Sequence, residues 1–252
     1  MKLLGIDANP KLMKEKTVDF ADISNQLNEK WDLLQELYKG TITGGVSLAP
    51  NDQNGLGVDL CGGNSTPFCR NDCLFIQGRG RMDSVSSARI KKAQYFIKEN
   101  KKFVAQLVSE LNAMERRATK LKLKPCVRLN VITDIKWENI KYKGSTLFEL
   151  FPNIEFYDYT KNWKRDVSHI PNYTLTYSKK ETINNKRIPN MTDKNKNVAV
   201  IFRHSIPDTF EGTKVINGDV HDLRFLDTTG VIVGLTAKGT LKKANAENYV
   251  FD

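Results

Sequence analysis

The sequence predicts an α/β fold: a (β/α) barrel or partial barrel of about six parallel strands with an N-terminal helical extension. Short apolar runs recur at separations of roughly 20–33 residues, which leaves room for a strand plus a crossover. The runs are nearly continuous, as in strands buried on both faces of a parallel sheet. Two long amphipathic helical patterns precede most of them.

Taken in order, residues 1–43 form the extension. Within it 17–38 predict a helix, capped by Asp19 or Asp22, with Ile23, Leu27, Trp31 and Leu34 at helical spacing. Residues 44–252 form one barrel-like domain that opens with a strand in "GVSLA". From Gly40 to Gly80 the chain is rich in Gly, Asn, Asp and Pro, and so long a loop in a compact domain is functional or held by something. Two helices follow. The first, about 84–98, takes Asp83 or Ser84 as cap and aligns Ser86, Ile90, Ala93 and Ile97; the second, about 101–122, aligns Val104, Val108, Leu111 and Ala118. The strands are then "CVRLNVI" (126–132), "IEFYDY" (154–159), "TLTYS" (174–178), "VAVIF" (198–202) and "VIVGL" (231–235), with a helix in "GSTLFELFP" stopped by Pro152. The connection after Phe202 is irregular or an extra hairpin.

Of the 252 residues 40% are hydrophobic and 27% charged, as in soluble globular proteins. No apolar run approaches the ~18–20 residues of a membrane span. The N-terminus meets Asp7 and Asn9 after a very short apolar run, unlike a signal peptide, so the expected location is the cytoplasm. The formal net charge of +10, concentrated in "RIKKAQYFIKENKK" and "RRATKLKLK", points to a nucleic acid or a phosphorylated small molecule as partner. Solvated Lys-rich helix faces satisfy the same charge.

Three of the four cysteines, Cys61, Cys69 and Cys73, fall in "CGGNSTPFCRNDC" with the spacing C-x7-C-x3-C. In a reducing compartment clustered thiols are metal ligands or redox groups more often than disulfides. Three ligands leave a position open, which on zinc suits catalysis, whereas structural zinc wants four. Cys126 begins a strand and is a core residue, and His169, His204 and His221 show no paired metal spacing. A [4Fe–4S] cluster on the triplet leaves one iron free for a ligand such as S-adenosylmethionine. Radical S-adenosylmethionine enzymes carry such triplets, most often as C-x3-C-x2-C, after the first strand of a barrel. Iron–sulfur is the leading expectation, zinc the alternative, and a metal-free loop the third. The following "GRGRMDSVSSAR" places Arg79 and Arg81 beside a helix N-terminus, where they can hold a phosphate or carboxylate of a cofactor or form a plain turn.

In parallel α/β folds ligands bind beyond the carboxyl ends of the strands. Residues leaving those ends are Asn130, Thr133 and Asp134, then Asp158, Tyr159 and Lys161, then Ser178 and Lys179, then Arg203 and His204. Asp134, Asp158 and Lys161 are the candidate catalytic groups, and Asn130 and Ser178 candidate cofactor contacts. Asp, Ser and Thr are also the ordinary caps and turn formers at such points.

The set "SLAP", the cysteine triplet, "GRGRM-S--SARI", "VRLNVITDIKWE", "FPNIEFYDYTK", "NYTLTYS" and "GVIVGLTAKG" resembles the phage and prophage gene product 88 family over about 44–242. Cys61 is followed by Gly62 where the family pattern has Pro, and the helix at 17–38 has the look of an insertion. The resemblance implies a phage or mobile-element origin and Cys61, Cys69 and Cys73 as cluster ligands. It implies Arg128, Asn130, Asp134, Trp137, Tyr157, Asp158, Tyr159 and Lys161 as lining residues. "GVIVGL" is similar to a strand that supports the adenine of S-adenosylmethionine in radical enzymes, which adds Gly234 as a cofactor contact. The expected function is radical chemistry on a nucleotide or nucleic acid. The alternative is a metal-stapled basic nucleic-acid-binding protein of phage replication or counter-defence, with Trp137, Tyr157 and Tyr159 stacking bases.

Overall fold

The computed structural model describes residues 1–7, 40–71, 73, 75–76, 78–242 and 248–252. The helix expected over 17–38 lies outside the described residues. No described helix is long and apolar enough to cross a membrane.

The centre is a ten-stranded, mostly parallel sheet. Strands β1 (Leu4–Asp7) and β2 (Thr41–Val46) pair antiparallel. Parallel pairing then runs from β2 through β3 (Lys124–Arg128), β6 (Glu155–Thr160), β7 (Tyr173–Ser178), β8 (Val198–Phe202) and β11 (Ile232–Thr236) to β10 (Thr213–Asn217). Antiparallel β9 (Thr209–Phe210) ends the row. The hairpin β9–β10 is the irregular connection after Phe202. Strand β12 (Val250–Phe251) pairs with β8 at Ile201 and Phe202, just past where β7 pairs with Val198 and Ala199. A small hairpin of β4 (Lys141–Tyr142) and β5 (Ser145–Thr146) lies apart.

The sheet does not close, which corrects the full-barrel form of the expectation; the apolar runs do pair largely in parallel, but the sheet holds ten strands and not about six. Closure needs two free edges to meet at a consistent tilt and register. Here each edge of the parallel run is already taken by a short antiparallel strand, β1 on one side and β9 on the other. Apolar spacing identifies neighbours, and it carries no information about whether the last meets the first.

Because β2, β3, β6, β7, β8 and β11 are successive neighbours, right-handed crossovers place their connections on one face. The main core is there. Helices α2 (Asp83–Lys98) and α3 (Asn100–Leu121) bury Ala93, Phe96, Phe103, Val104, Leu107, Leu111, Met114 and Ala118 against Ile42, Val46, Val127 and Phe156. Each such large side chain contributes about 1.5–3 kcal/mol by leaving water. The cap of α2 differs from expectation: Met82 occupies the position and makes no side-chain cap bond. The helix expected in "GSTLFELFP" is the single turn α4 (Leu147–Leu150), started by a capping box between Thr146 and Glu149. Glu110 of α3 accepts the backbone N–H groups of Leu3 and Leu4 and so ties β1 to the helix layer.

The opposite face is covered by the connection between β10 and β11. Its 3-10 turn Arg224–Leu226 buries Phe225 and Leu226, with Leu223, against Cys126 and Tyr157. Side chains alternate along a strand, so two residues further on the same face shows Arg128 and Tyr159. That is where the covering stops and a cavity begins.

Candidate functional site

The cavity, of about 510 Å³, lies at the carboxyl ends of the parallel strands. Its wall is made by Arg128 and residues 130–134 after β3, by Tyr159, Thr160 and Lys161 of β6 and its exit, and by Ser178 closing β7. Residues 218–222 after β10, Lys238 after β11, and Tyr249, carried in by β12, complete it. Cys61, Cys69 and Cys73 all line the same cavity.

The cysteine loop is fastened to those strand ends. Asp59 accepts the N–H groups of Cys61 and Gly63, each at 2.7 Å, and Gly62 and Gly63 take left-handed φ values of 60° and 70° to make the turn. The Asp134 N–H donates to the Leu60 carbonyl at 3.0 Å. Cys69 sits on the short helix α1 (Pro67–Asn71), which Glu181 docks by accepting from the Thr66 hydroxyl at 2.6 Å and the Phe68 N–H at 3.3 Å. Phe68 stacks on Tyr249 at 5.8 Å.

No disulfide joins any of the four cysteines, and Cys126 is buried in its strand. Burial pushes the Cys61 thiol up to about 12; the Asn51 N–H, which donates to its sulfur at 3.2 Å, pulls the other way, and Cys69, Asp59 and Cys73 add to the rise. Burial also raises Cys73, against the Phe75 N–H, Arg89 and Lys161, while Cys69 adds to it. The thiols therefore feel one another's charge. Among the described residues no group of three or more His, Cys, Asp or Glu side chains is arranged to hold a metal ion.

Asp134 lines the cavity with its carboxylate already occupied. It accepts from the Thr160 hydroxyl at 2.8 Å, the Lys161 N–H at 2.9 Å and Arg165 Nη1 at 3.0 Å. Burial raises its pKa, and those three donors oppose the rise. Arg165 also forks onto Glu138 at 2.8 and 2.6 Å and donates to the Tyr173 hydroxyl. Asp158 is buried behind this network, outside the cavity wall, where it accepts from the Asn130 N–H at 2.6 Å, Asn130 Nδ2 and the Tyr173 hydroxyl. Burial lifts its pKa to about 7. The Asn130 carbonyl oxygen accepts from Thr133, Ile135 and Trp137, which shapes the loop after β3. These three residues hold the floor together.

Lys161 faces the cavity differently. Its Nζ lies 3.4 Å from the Lys179 carbonyl, 3.5 Å from the Tyr249 hydroxyl and 5.1 Å from that ring's centre. No salt bridge joins it to an acidic side chain among the described residues. Burial lowers its pKa, but Tyr249 and Cys69 raise it above the ordinary lysine value.

Of the remaining expected contacts, Ser178 lines the cavity. Gly234 does not: a Cβ there would come within 2.5 Å of Ile206 and 2.8 Å of Val215, so the glycine serves packing on the other side of β11. Arg79 and Arg81 belong to the 3-10 turn Gly78–Arg81, and Arg81 is exposed and donates to the Ile76 carbonyl at 2.7 Å. Trp137 and Tyr157 are core residues, while Tyr159 reaches the cavity.

Sequence reasoning missed Asp219, His221, Asp222 and Tyr249, which come from connections and carry no motif, and Lys238, which stands near the end of the motif "GVIVGLTAKG". His221 has both ring nitrogens turned into the protein, Nδ1 3.3 Å from Arg224 Nη2 and Nε2 3.6 Å from Asp227. Burial, then Arg224, lower its pKa to about 4, so it is neutral at pH 7.

A family model described as Gene product 88 matches residues 16–251. The chain belongs to the gene product 88 family. The match runs well beyond the 44–242 on which the motifs were recognised, and it supports a phage protein. No curated protein and no solved structure matches the chain. In this gene product 88 protein the family stretch thus includes the cysteine loop, the parallel sheet and every wall of the cavity.

Proposed function

We propose that this gene product 88 protein is an iron–sulfur protein of the radical S-adenosylmethionine kind, with a [4Fe–4S] cluster on Cys61, Cys69 and Cys73, acting on a nucleotide or nucleic acid. The observation that carries the reading is that three thiols from the loop after the first parallel strand line one cavity with the strands' carboxyl ends. The neighbour order β2-β3-β6-β7-β8-β11 follows the chain, which supports a partial-barrel reading.

The donor set fits. Cys61 already accepts an N–H from Asn51, the kind of bond that tunes thiolate ligands. Burial keeps Cys61 a neutral thiol at pH 7, and metal coordination deprotonates such a group outright. A structural zinc site fits less well, because no fourth ligand stands with the thiols among the described residues. Cys126 is sealed under Phe225 and Leu226, and both nitrogens of His221 are engaged. When bound, a three-thiolate cluster supplies an electron and leaves one iron for S-adenosylmethionine. The chain's own residues do the rest: Glu181 fixes α1 and hence Cys69, Asp134 fixes the backbone of Lys161, and Lys161 sets a positive charge beside Cys69.

Anaerobic purification of the wild type and Cys69→Ser, with iron, sulfide and zinc analysis and an absorption spectrum, tests the proposal. Iron, sulfide and a broad band near ~400 nm, lost in the variant, are the expected result. Colourless protein with one zinc, or with no metal, would sink it and direct work to nucleic-acid binding by the basic surface.

A further inference from the structure

We infer that the wall of the cavity at Arg128 is an oxyanion subsite, which anchors a phosphate or carboxylate group of the ligand. The inference deepens the proposed function by naming the anchor; it rests on that reading only for the substrate's identity.

A guanidinium carries its five N–H donors in one plane, and the edge formed by Nε and one Nη matches two oxygens of an oxyanion. Arg128 lines the cavity with that edge only partly used, its Nε closed off from solvent and unpartnered. Its Nη1 donates to Asp222 at 2.9 Å, and its face lies 4.7 Å above the Tyr159 ring, a contact that leaves the in-plane donors free. Its Nε is buried with no partner, and Nη2 makes no hydrogen bond among the described residues. A buried donor without a partner is uncommon and calls for one. Arg224 also has a buried, unpartnered Nε, but it lies outside the cavity, where no ligand reaches. Arg128 lines the cavity.

The support is rigid. The Gly218 N–H donates to the Gly234 carbonyl at 2.8 Å, Asp219 accepts the Thr236 N–H at 2.9 Å, and Lys238 pairs with Asp219 at 3.0 Å. The turn bearing Asp222 is thus pinned to β11 before any ligand arrives, which lowers the cost of binding. Asp222 balances Arg128 and Asp219 balances Lys238, so among the described residues Lys161 leaves the cavity receptive to a negative ligand.

Calorimetric titration of the full chain with adenosine 5′-monophosphate, adenosine, inorganic phosphate and acetate tests the subsite. The monophosphate is expected to bind the wild type at least tenfold more tightly than adenosine. Stronger competition by phosphate than by acetate assigns the anchor to phosphates, and the reverse assigns it to carboxylates. Arg128→Lys keeps the charge and loses the fork, and is expected to weaken the monophosphate at least tenfold. Asp222→Asn keeps the fork and removes a repelling charge, so it is expected to bind at least as tightly as wild type. Should Arg128→Lys fail to fold, loss of binding in Asp222→Asn overturns the inference and retention supports it. Binding by Arg128→Lys within twofold of wild type, or no binding of any probe by wild type, also overturns it. The titration reads anion binding and the metal analysis reads the cluster, so failure of the subsite and failure of the cluster proposal are distinguishable.

Discussion

Arg165 and Arg128 are two arginines near the same edge of the sheet, and their surroundings differ in kind. Arg165 sits behind the cavity floor with Asp134, Glu138 and the Tyr173 hydroxyl arranged around it. Arg128, in the cavity wall, has one carboxylate, one aromatic face and a buried Nε with no partner. A saturated buried cation is architecture, because nothing further can bind it without breaking what is there. An unsaturated one in a cavity wall has donors left for something that is not protein.

The sharpest way to break this contrast is Arg165→Met. It strands Asp134 and Glu138 as buried charges without their partner, and removing one side of such a network costs about 3–5 kcal/mol. Urea unfolding measures it; a loss below about 1 kcal/mol would show that the floor is held by its packing and not by the ions.

Asp158 in the same floor gives a pH-dependent prediction. Its carboxyl has a pKa of about 7 in the folded chain against 3.8 ordinarily, so the folded state binds the extra proton. Its contribution to stability is whole below about pH 4 and is lost as pH rises through about 7. Asp227, raised to about 7 by burial, works in the same direction. His221, lowered to about 4, works in the other, with stability present above about pH 6.5 and lost as pH falls through about 4. Asp158→Asn is expected to remove on the order of 2 kcal/mol of the fall in stability between pH 5 and pH 8. Parallel profiles for variant and wild type would mean that Asp158 is ionised throughout.

The smallest effect belongs to the wall. At Gly218 a Cβ would come within 2.5 Å of Val233, 2.8 Å of Leu235 and 2.9 Å of the Gly234 carbonyl. Gly218→Ala is expected to cost about 1–3 kcal/mol through this overpacking and to displace the turn that holds Asp222. Unchanged thermal stability would show that the turn moves freely and that Arg128 is not preorganised.

The strands were legible because each is a buried apolar run bounded by turn residues, and five of them fall within two residues of their observed starts. The small, polar edge strand β9 and the two-residue β12 have no such pattern. At the site, Lys161, Asn130 and Ser178 were legible as residues leaving strand ends, and the cysteines by their spacing in one loop. Their roles were not. Asp158 and Asn130 lie 28 residues apart in sequence, and Arg128 and Asp222 lie 94 apart, so which carboxylate is spent and which arginine keeps an unpartnered donor depends on contacts no local pattern encodes. Asp134 has the chemistry of a base and the environment of a tie.

The 3-10 turn Arg224–Leu226, which buries Phe225 and Leu226 against Cys126 and Tyr157, closes the sheet face just below Arg128 and Tyr159. A ligand beside Arg128 therefore has packed apolar side chains beneath it, and this face of the sheet is shut to it in that direction.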